Sequence, residues 1–149
     1  MRILTAVISL GRILFGTVFI AEPKVMDQGW IGRQARLPGA QVLARGVGAR
    51  DLALGLGGLQ AAVRNDGSAR AWMAAAALCD AVDFGATRAA GKRIPRSSRT
   101  AVLGIAAGAS LLSAIAAIGS RQPAVAEPLG TTQDATEAGA VPAEPVGVA

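Results

Sequence analysis

Long apolar stretches alternate with short polar connections over the first 120 residues of the chain. Four of the stretches are long enough to cross a bilayer as helices of about 20 residues each. They comprise residues 3–21, 42–63, 71–90 and 100–120, and the last contains no charged residue. The pattern predicts an all-α fold, in which residues 1–120 form a four-helix transmembrane bundle.

Charged side chains interrupt the first three apolar stretches. At the centre of a membrane helix each such charge opposes insertion by roughly 2.5–3.5 kcal/mol, so the charges need partners on neighbouring helices. Small and hydroxyl residues flank them at helical spacing, as Thr5, Ser9 and Gly16 flank Arg12. Such faces allow helices to approach closely and enclose the charges. The sequence predicts a polar network inside the bundle that comprises Arg12, Arg45, Arg50, Asp51, Asp80 and Asp83.

Depth along the helices predicts how these charges pair. Arg12 and Asp80 lie near the middle of their segments, whereas Arg50 and Asp83 lie off centre toward the same side. We expect Arg50 or Arg12 to pair with Asp80 or Asp83 and Asp51 to close the network. On depth, Asp83 is the better candidate for Arg50 and Asp80 for Arg12. The predicted set holds as many cations as carboxylates, and this balance lowers the energetic cost of burying it.

Several roles for the network are open. It can be purely structural and fix helix register, or it can form a ligand-binding or transport pathway. The first hypothesis is a non-enzymatic integral membrane protein whose network organises the bundle and which binds a partner or lipid. The alternative is a small transporter whose intramembrane Asp residues bind a cation or proton. A membrane enzyme with an Asp as general base is the third, although no catalytic residue is singled out.

Small residues indicate where helices approach one another. Gly48, Gly55 and Gly58 flank Asp51 on one predicted helix face. Gly104 and Gly108 form a GxxxG pair on the least polar helix. Such a pair packs within its own bundle or forms a homodimer contact, and we expect substitution of both glycines by Leu to disrupt packing.

The composition removes several kinds of chemistry. Apolar residues make up 52% of the 149 residues and charged residues only 17%, against about a quarter in ordinary globular chains. The chain has no His and one Cys, Cys79. Imidazole acid–base catalysis, histidine metal sites and a CxxC redox pair are therefore excluded. The GVGARD piece lacks the spacing of a dinucleotide loop, and we predict no cofactor and no metal.

The two ends of the chain differ in character. Residues 121–149 are rich in Pro, Ala and acidic residues, which predicts a disordered tail. The first apolar segment ends in Phe19-Ile20-Ala21 before Glu22. This sequence lacks the small residue that a signal-peptide cleavage site needs, so we expect the segment to be retained as a helix.

Basic residues are distributed unevenly between the two sides of the predicted bundle. Eight lie at the first and third connections, namely Lys24, Arg33, Arg36, Arg88, Lys92, Arg93, Arg96 and Arg99, against four on the other side. The positive-inside rule then predicts that loops 22–41 and 91–99 are cytoplasmic and both termini outside. The basic loops predict contact with anionic lipids. No nucleic-acid partner is expected, because the basic runs lie between apolar segments and form no aromatic stacking surface.

Three segments carry a resemblance to a family. The pieces GRILFGTVFIAEP, LARGVGARDLALGLG and CDAVDFGATRAAGKR resemble small four-helix bacterial integral membrane proteins of unknown function. The most specific features are an Arg-Asp-x-x-Leu-Gly motif at residues 50–55 and an Asp-x-x-Asp motif at residues 80–83. The first helix also looks like the opening of DoxX-type membrane proteins. The resemblance implies a four-helix membrane fold without an established activity.

Overall fold

The computed structural model describes residues 1–65 and 67–120, and for residues 25–27 it describes the backbone alone. The disordered tail predicted for residues 121–149 lies outside the described residues.

The described chain is entirely helical, which confirms the predicted all-α class. Five α-helices follow one another: α1 (Arg2–Ala21), α2 (Pro23–Ile31), α3 (Pro38–Arg64), α4 (Ala69–Ala90) and α5 (Arg96–Gly119). Two short 3₁₀ turns, Gly32–Arg36 and Gly91–Arg93, precede α3 and α5. The four long helices overlap the four predicted segments.

The short helix α2 was not predicted, because its segment mixes polar and apolar residues and was interpreted as a connection. Pro23 opens it at the first helical position, where a missing N–H is tolerated. At nine residues α2 is about 14 Å long, too short to cross a bilayer. Its Trp30 indole Nε1 donates to Thr87 Oγ1 of α4 at 3.1 Å, and its ring lies edge-on to Phe19 of α1. The first connection therefore folds back over the end of the bundle.

Glycine allows α1 and α3 to pack with their backbones almost in contact. A Cβ added at Gly16 would lie 2.5 Å from the carbonyl oxygen of Gly48 and 2.6 Å from the amide nitrogen of Leu52. α1 packs chiefly against α3, and α4 packs chiefly against α5. Weaker contact between α3 and α4 joins the two pairs.

Many large apolar side chains point outward, while small residues and three charged ones lie inside. Ile3 on α1 and Ile118 on α5 are 82% and 80% exposed, and Leu43 on α3 and Leu78 on α4 are also largely exposed. Arg12, Asp51 and Asp80 are instead buried. Two helices of the described residues, α1 and α5, are long and apolar enough to cross a membrane.

Candidate functional site

Arg12 lies at the centre of an ion network that joins three helices. Its Nη1 donates to Oδ1 of Asp51 on α3, and its Nη2 donates to Oδ2 of Asp80 on α4. The same Nη2 reaches the carbonyl oxygen of Ala76 at 3.4 Å. The Arg12 side chain is only 8% exposed, so both ion pairs lie away from the surface. One guanidinium thus links α1, α3 and α4.

Arg50 extends this network on α3. Its Nη2 and Nη1 donate to the two carboxylate oxygens of Asp83 on α4, at 2.7 and 3.1 Å. Nη2 also lies 3.3 Å from Oδ2 of Asp51. The five groups form one chain of alternating charge in the order Asp80, Arg12, Asp51, Arg50, Asp83. We call these five residues the ion chain; its pairing is the one that depth along the helices predicts.

Arg45 departs from the predicted network. It is exposed, and no ion pair joins it to any other described residue. The reason is helical geometry: Ala44, Gly48 and Asp51 share the buried face of α3, and Arg45 lies about 100° away from Ala44 around the helix. The expected charge balance is therefore wrong. With every group ionised, the ion chain holds two cations and three carboxylates, one negative charge in excess.

The glycines singled out in the sequence fall into two groups. A Cβ at Gly48, Gly55 or Gly58 would lie within 2.8 Å of atoms on α1 or α4, so these glycines permit close helix packing. Gly104 and Gly108 lie on the exposed side of α5, where an added Cβ would meet no described atom within 4 Å. The expectation that substituting this pair disrupts packing within the chain is not supported, since the face is open.

A cavity of about 550 Å³ adjoins the ion chain. Its walls come from α1 and α5, and α2 contributes Gly29 and Trp30. Phe15, Phe19 and aliphatic residues of α5 such as Ile105 make most of this lining apolar. Four members of the ion chain, all except Arg50, line the same space. The cavity therefore combines apolar walls with an ionic patch.

The sequence predicts the ionic patch, but the apolar walls of the cavity were not predicted from it. Phe15 and Phe19 stack with ring centres 4.4 Å apart, and Trp30 stands edge-on to Phe19 with centres 6.3 Å apart. Phe15 and Phe19 are four residues apart, so they lie on one face of α1. This spacing could have predicted that the two rings lie together. No sequence signal brought Trp30 into this group, because its contact depends on α2 folding back over the bundle.

The site has the general form of a ligand pocket. Small-molecule sites are concave, mostly apolar spaces of roughly 300–1,000 Å³ with a few convergent polar groups. Each carboxylate of the ion chain is bound to an arginine. Apolar walls beside such an ionic patch are suited to binding a molecule that is part apolar and part polar. No known protein family, curated protein or solved structure matches the chain.

Proposed function

We propose that this chain is a multi-pass integral membrane protein in which the four long helices α1, α3, α4 and α5 cross the bilayer. The apolar character of α1 and α5 supports this topology, as does the outward position of large apolar side chains on all four helices. The charged residues of α3 and α4 that lie inside the bundle are ion-paired, namely Arg50, Asp51, Asp80 and Asp83. Ion pairing of this kind reduces the cost of placing such helices in a membrane.

The proposed orientation places the connections around α2 and around residues 91–99 in the cytoplasm. Lys92, Arg93 and Arg96 are exposed at the second of these connections. Exposed basic side chains at that level favour the anionic cytoplasmic leaflet, at about 1 kcal/mol for each residue near the surface. Both chain termini then lie on the outer side.

Within this membrane bundle, the proposed activity is binding of a lipid or lipid-soluble molecule in the cavity between α1 and α5. The single observation that carries the proposal is the cavity itself, with apolar walls next to the ion chain. A bound molecule can place its polar end near Asp80 and Asp83 and its apolar body between the two helices. The ion chain holds the surrounding helices in register.

Native mass spectrometry of the full chain, extracted from membranes in mild detergent, tests this function. We expect the protein to retain a small lipid-soluble molecule as a stoichiometric adduct. Ala109→Trp fills the cavity lining and should remove the adduct. Ala107→Trp is the matched control, because Ala107 lies on the same helix but on its exposed side. Equal adducts in both variants, or none in the unmodified protein, would contradict the proposal.

A small transporter that binds a cation or proton at its intramembrane Asp residues is the second candidate. The observation that favours it is the position of Asp80 and Asp83 on the cavity lining, where ligand exchange is possible. Reconstituted vesicles with an imposed proton gradient distinguish the two functions. A transporter moves a cation across the bilayer in response to the gradient, whereas a binding protein retains its ligand without net movement.

A further inference from the structure

We infer that the cavity between α1 and α5 selects hydrophobic organic cations. The inference rests on the proposed binding function and names the chemical class of the ligand. Neutral and anionic lipids would fit the same apolar walls, so the selection depends on charge. Two features of the lining set the sign of that charge.

The first feature is the excess of carboxylates on the cavity surface. Asp51, Asp80 and Asp83 line the cavity, but Arg12 is the one cation among its described lining residues. Arg50, the second cation of the ion chain, is not part of the lining. Asp80 and Asp83 keep 10% and 18% of their side-chain surface exposed. A cation beside them lowers the electrostatic energy of the site, because charges in a low-dielectric surrounding are weakly screened.

The second feature is the aromatic wall. Phe15, Phe19 and Trp30 account for three of the five aromatic residues in the chain, and all three line this cavity. Phe15 and Trp30 are partly exposed, whereas Phe19 is buried and packs against both of them. The faces of aromatic rings attract cations through their quadrupole, and this attraction strengthens when water is excluded. The aromatic wall and the carboxylate excess therefore favour the same sign of ligand charge.

The apolar walls favour an organic cation over a small inorganic ion as the ligand. A compact ion such as Na⁺ or Mg²⁺ would have to exchange its water for oxygen ligands. The carboxylates on the lining are each already bound to an arginine, and the aliphatic lining residues such as Val7 and Leu112 provide no oxygen. An organic cation spreads its charge and brings apolar surface of its own. Such a ligand buries its body against the aliphatic lining while its charge faces Asp80 and Asp83.

Two hydrophobic ions of the same shape and opposite charge provide the test. Radiolabelled tetraphenylphosphonium and tetraphenylborate are each added to the purified full chain in detergent, and binding is measured by equilibrium dialysis. We expect saturable binding of tetraphenylphosphonium and at least roughly tenfold weaker binding of tetraphenylborate. Ala107→Trp, outside the cavity, should bind tetraphenylphosphonium as the unmodified protein does.

Two variants then measure separately how much the carboxylates and the aromatic wall contribute to binding. Asp83→Asn should weaken tetraphenylphosphonium binding about tenfold. Phe15→Leu keeps an apolar side chain without the ring face and should weaken binding about threefold, even if the Asp83 variant fails to fold. Equal binding of both ions, or tetraphenylphosphonium binding unaffected by either variant, overturns the charge selection. Absence of binding by the unmodified protein also overturns it, and the adduct measurement with Ala109→Trp then decides separately whether the cavity binds lipid.

Discussion

Arg50 on α3 binds both carboxylate oxygens of Asp83 on α4, with nitrogen–oxygen distances of 2.7 and 3.1 Å. The bidentate geometry fixes the relative position of the two side chains more strictly than a single contact would. α3 and α4 share a smaller packing interface than α1 and α3. The pair therefore adds a direct ionic contact to this smaller interface.

Removing the two partners of this pair should have unequal effects. Arg50→Gln leaves the ion chain with one cation against three carboxylates, and we expect a stability loss on the order of 3 kcal/mol. Asp83→Asn leaves two cations and two carboxylates, a balanced set, so the loss should be smaller. Reversible unfolding in mixed detergent micelles measures both changes.

Arg45→Gln is the matched control for Arg50→Gln. It removes the same charge from the same helix at an exposed position without a described ion pair, so stability should stay within about 0.5 kcal/mol. Equal losses for the Arg45 and Arg50 variants would show that overall charge, rather than the ion chain, determines stability.

Close packing of α1 on α3 can be tested at Gly48. A Cβ there would lie 2.7 Å from the carbonyl oxygen of Gly16 and 2.8 Å from Cβ of Phe19. Because backbone cannot yield as a flexible side chain does, Gly48→Ala should destabilise the protein by roughly 1–3 kcal/mol. Gly46→Ala is the control, since Gly46 lies on the same helix with open space around it. If the two variants melt at the same temperature in detergent, α1 and α3 do not pack as described.

Substitutions on the open face of α5 should leave the stability of the monomer unchanged, in contrast to Gly48→Ala. Gly104→Leu combined with Gly108→Leu adds bulk where no described atom lies within 4 Å, so the monomer should keep its melting temperature. A homodimer that uses the GxxxG pair would be converted to monomer by the same change. Light scattering of the detergent-solubilised protein separates the two effects. A lower melting temperature of the monomer would place this face inside the bundle.

The proposed topology can be tested by labelling single cysteines in intact cells. Cys79 is first replaced by Ala, and a cysteine is then introduced at Ser97 or Asp134. A membrane-impermeant thiol reagent should label Asp134→Cys and leave Ser97→Cys unlabelled until the membrane is permeabilised. Since Ser97 lies in the first turn of α5 and the rest of that helix separates it from Asp134, labelling of both from one side contradicts the proposed crossing.

The sequence was sufficient to predict much of the helical interior. Helical spacing places Thr5, Ser9, Arg12 and Gly16 on one face of α1, and all four are buried. Depth along each helix was enough to propose that Arg50 pairs with Asp83. Both inferences work because a helix has a fixed period and rise, so a residue's face and depth follow from its number.

Other features depend on contacts between distant segments and could not be inferred in this way. Arg45 is not one of these features: it was included in the network for its charge, although helical periodicity alone places it on a different face of α3 from Asp51. The cavity arises because α1 and α5 pack mainly on other helices and because α2 folds back so that Trp30 lines the space. Gly57, which closely approaches the ring of Trp72, shows no distinguishing spacing in the sequence. Predicting such features requires knowledge of how whole helices are placed relative to one another.

The central claim is that Arg12 links α1, α3 and α4 through Asp51 and Asp80, and a double-mutant cycle tests it most directly. Arg12→Gln alone should lower the free energy of unfolding in mixed micelles by roughly 3–5 kcal/mol, because it leaves buried carboxylates without their cation. With Asp80→Asn added, one of those carboxylates is neutral, and the double variant should be more stable than the sum of the single losses predicts. We expect a coupling energy of about 1–3 kcal/mol. Additive losses, or an Arg12→Gln variant as stable as the unmodified protein, would contradict the claim that this arginine holds the helices together.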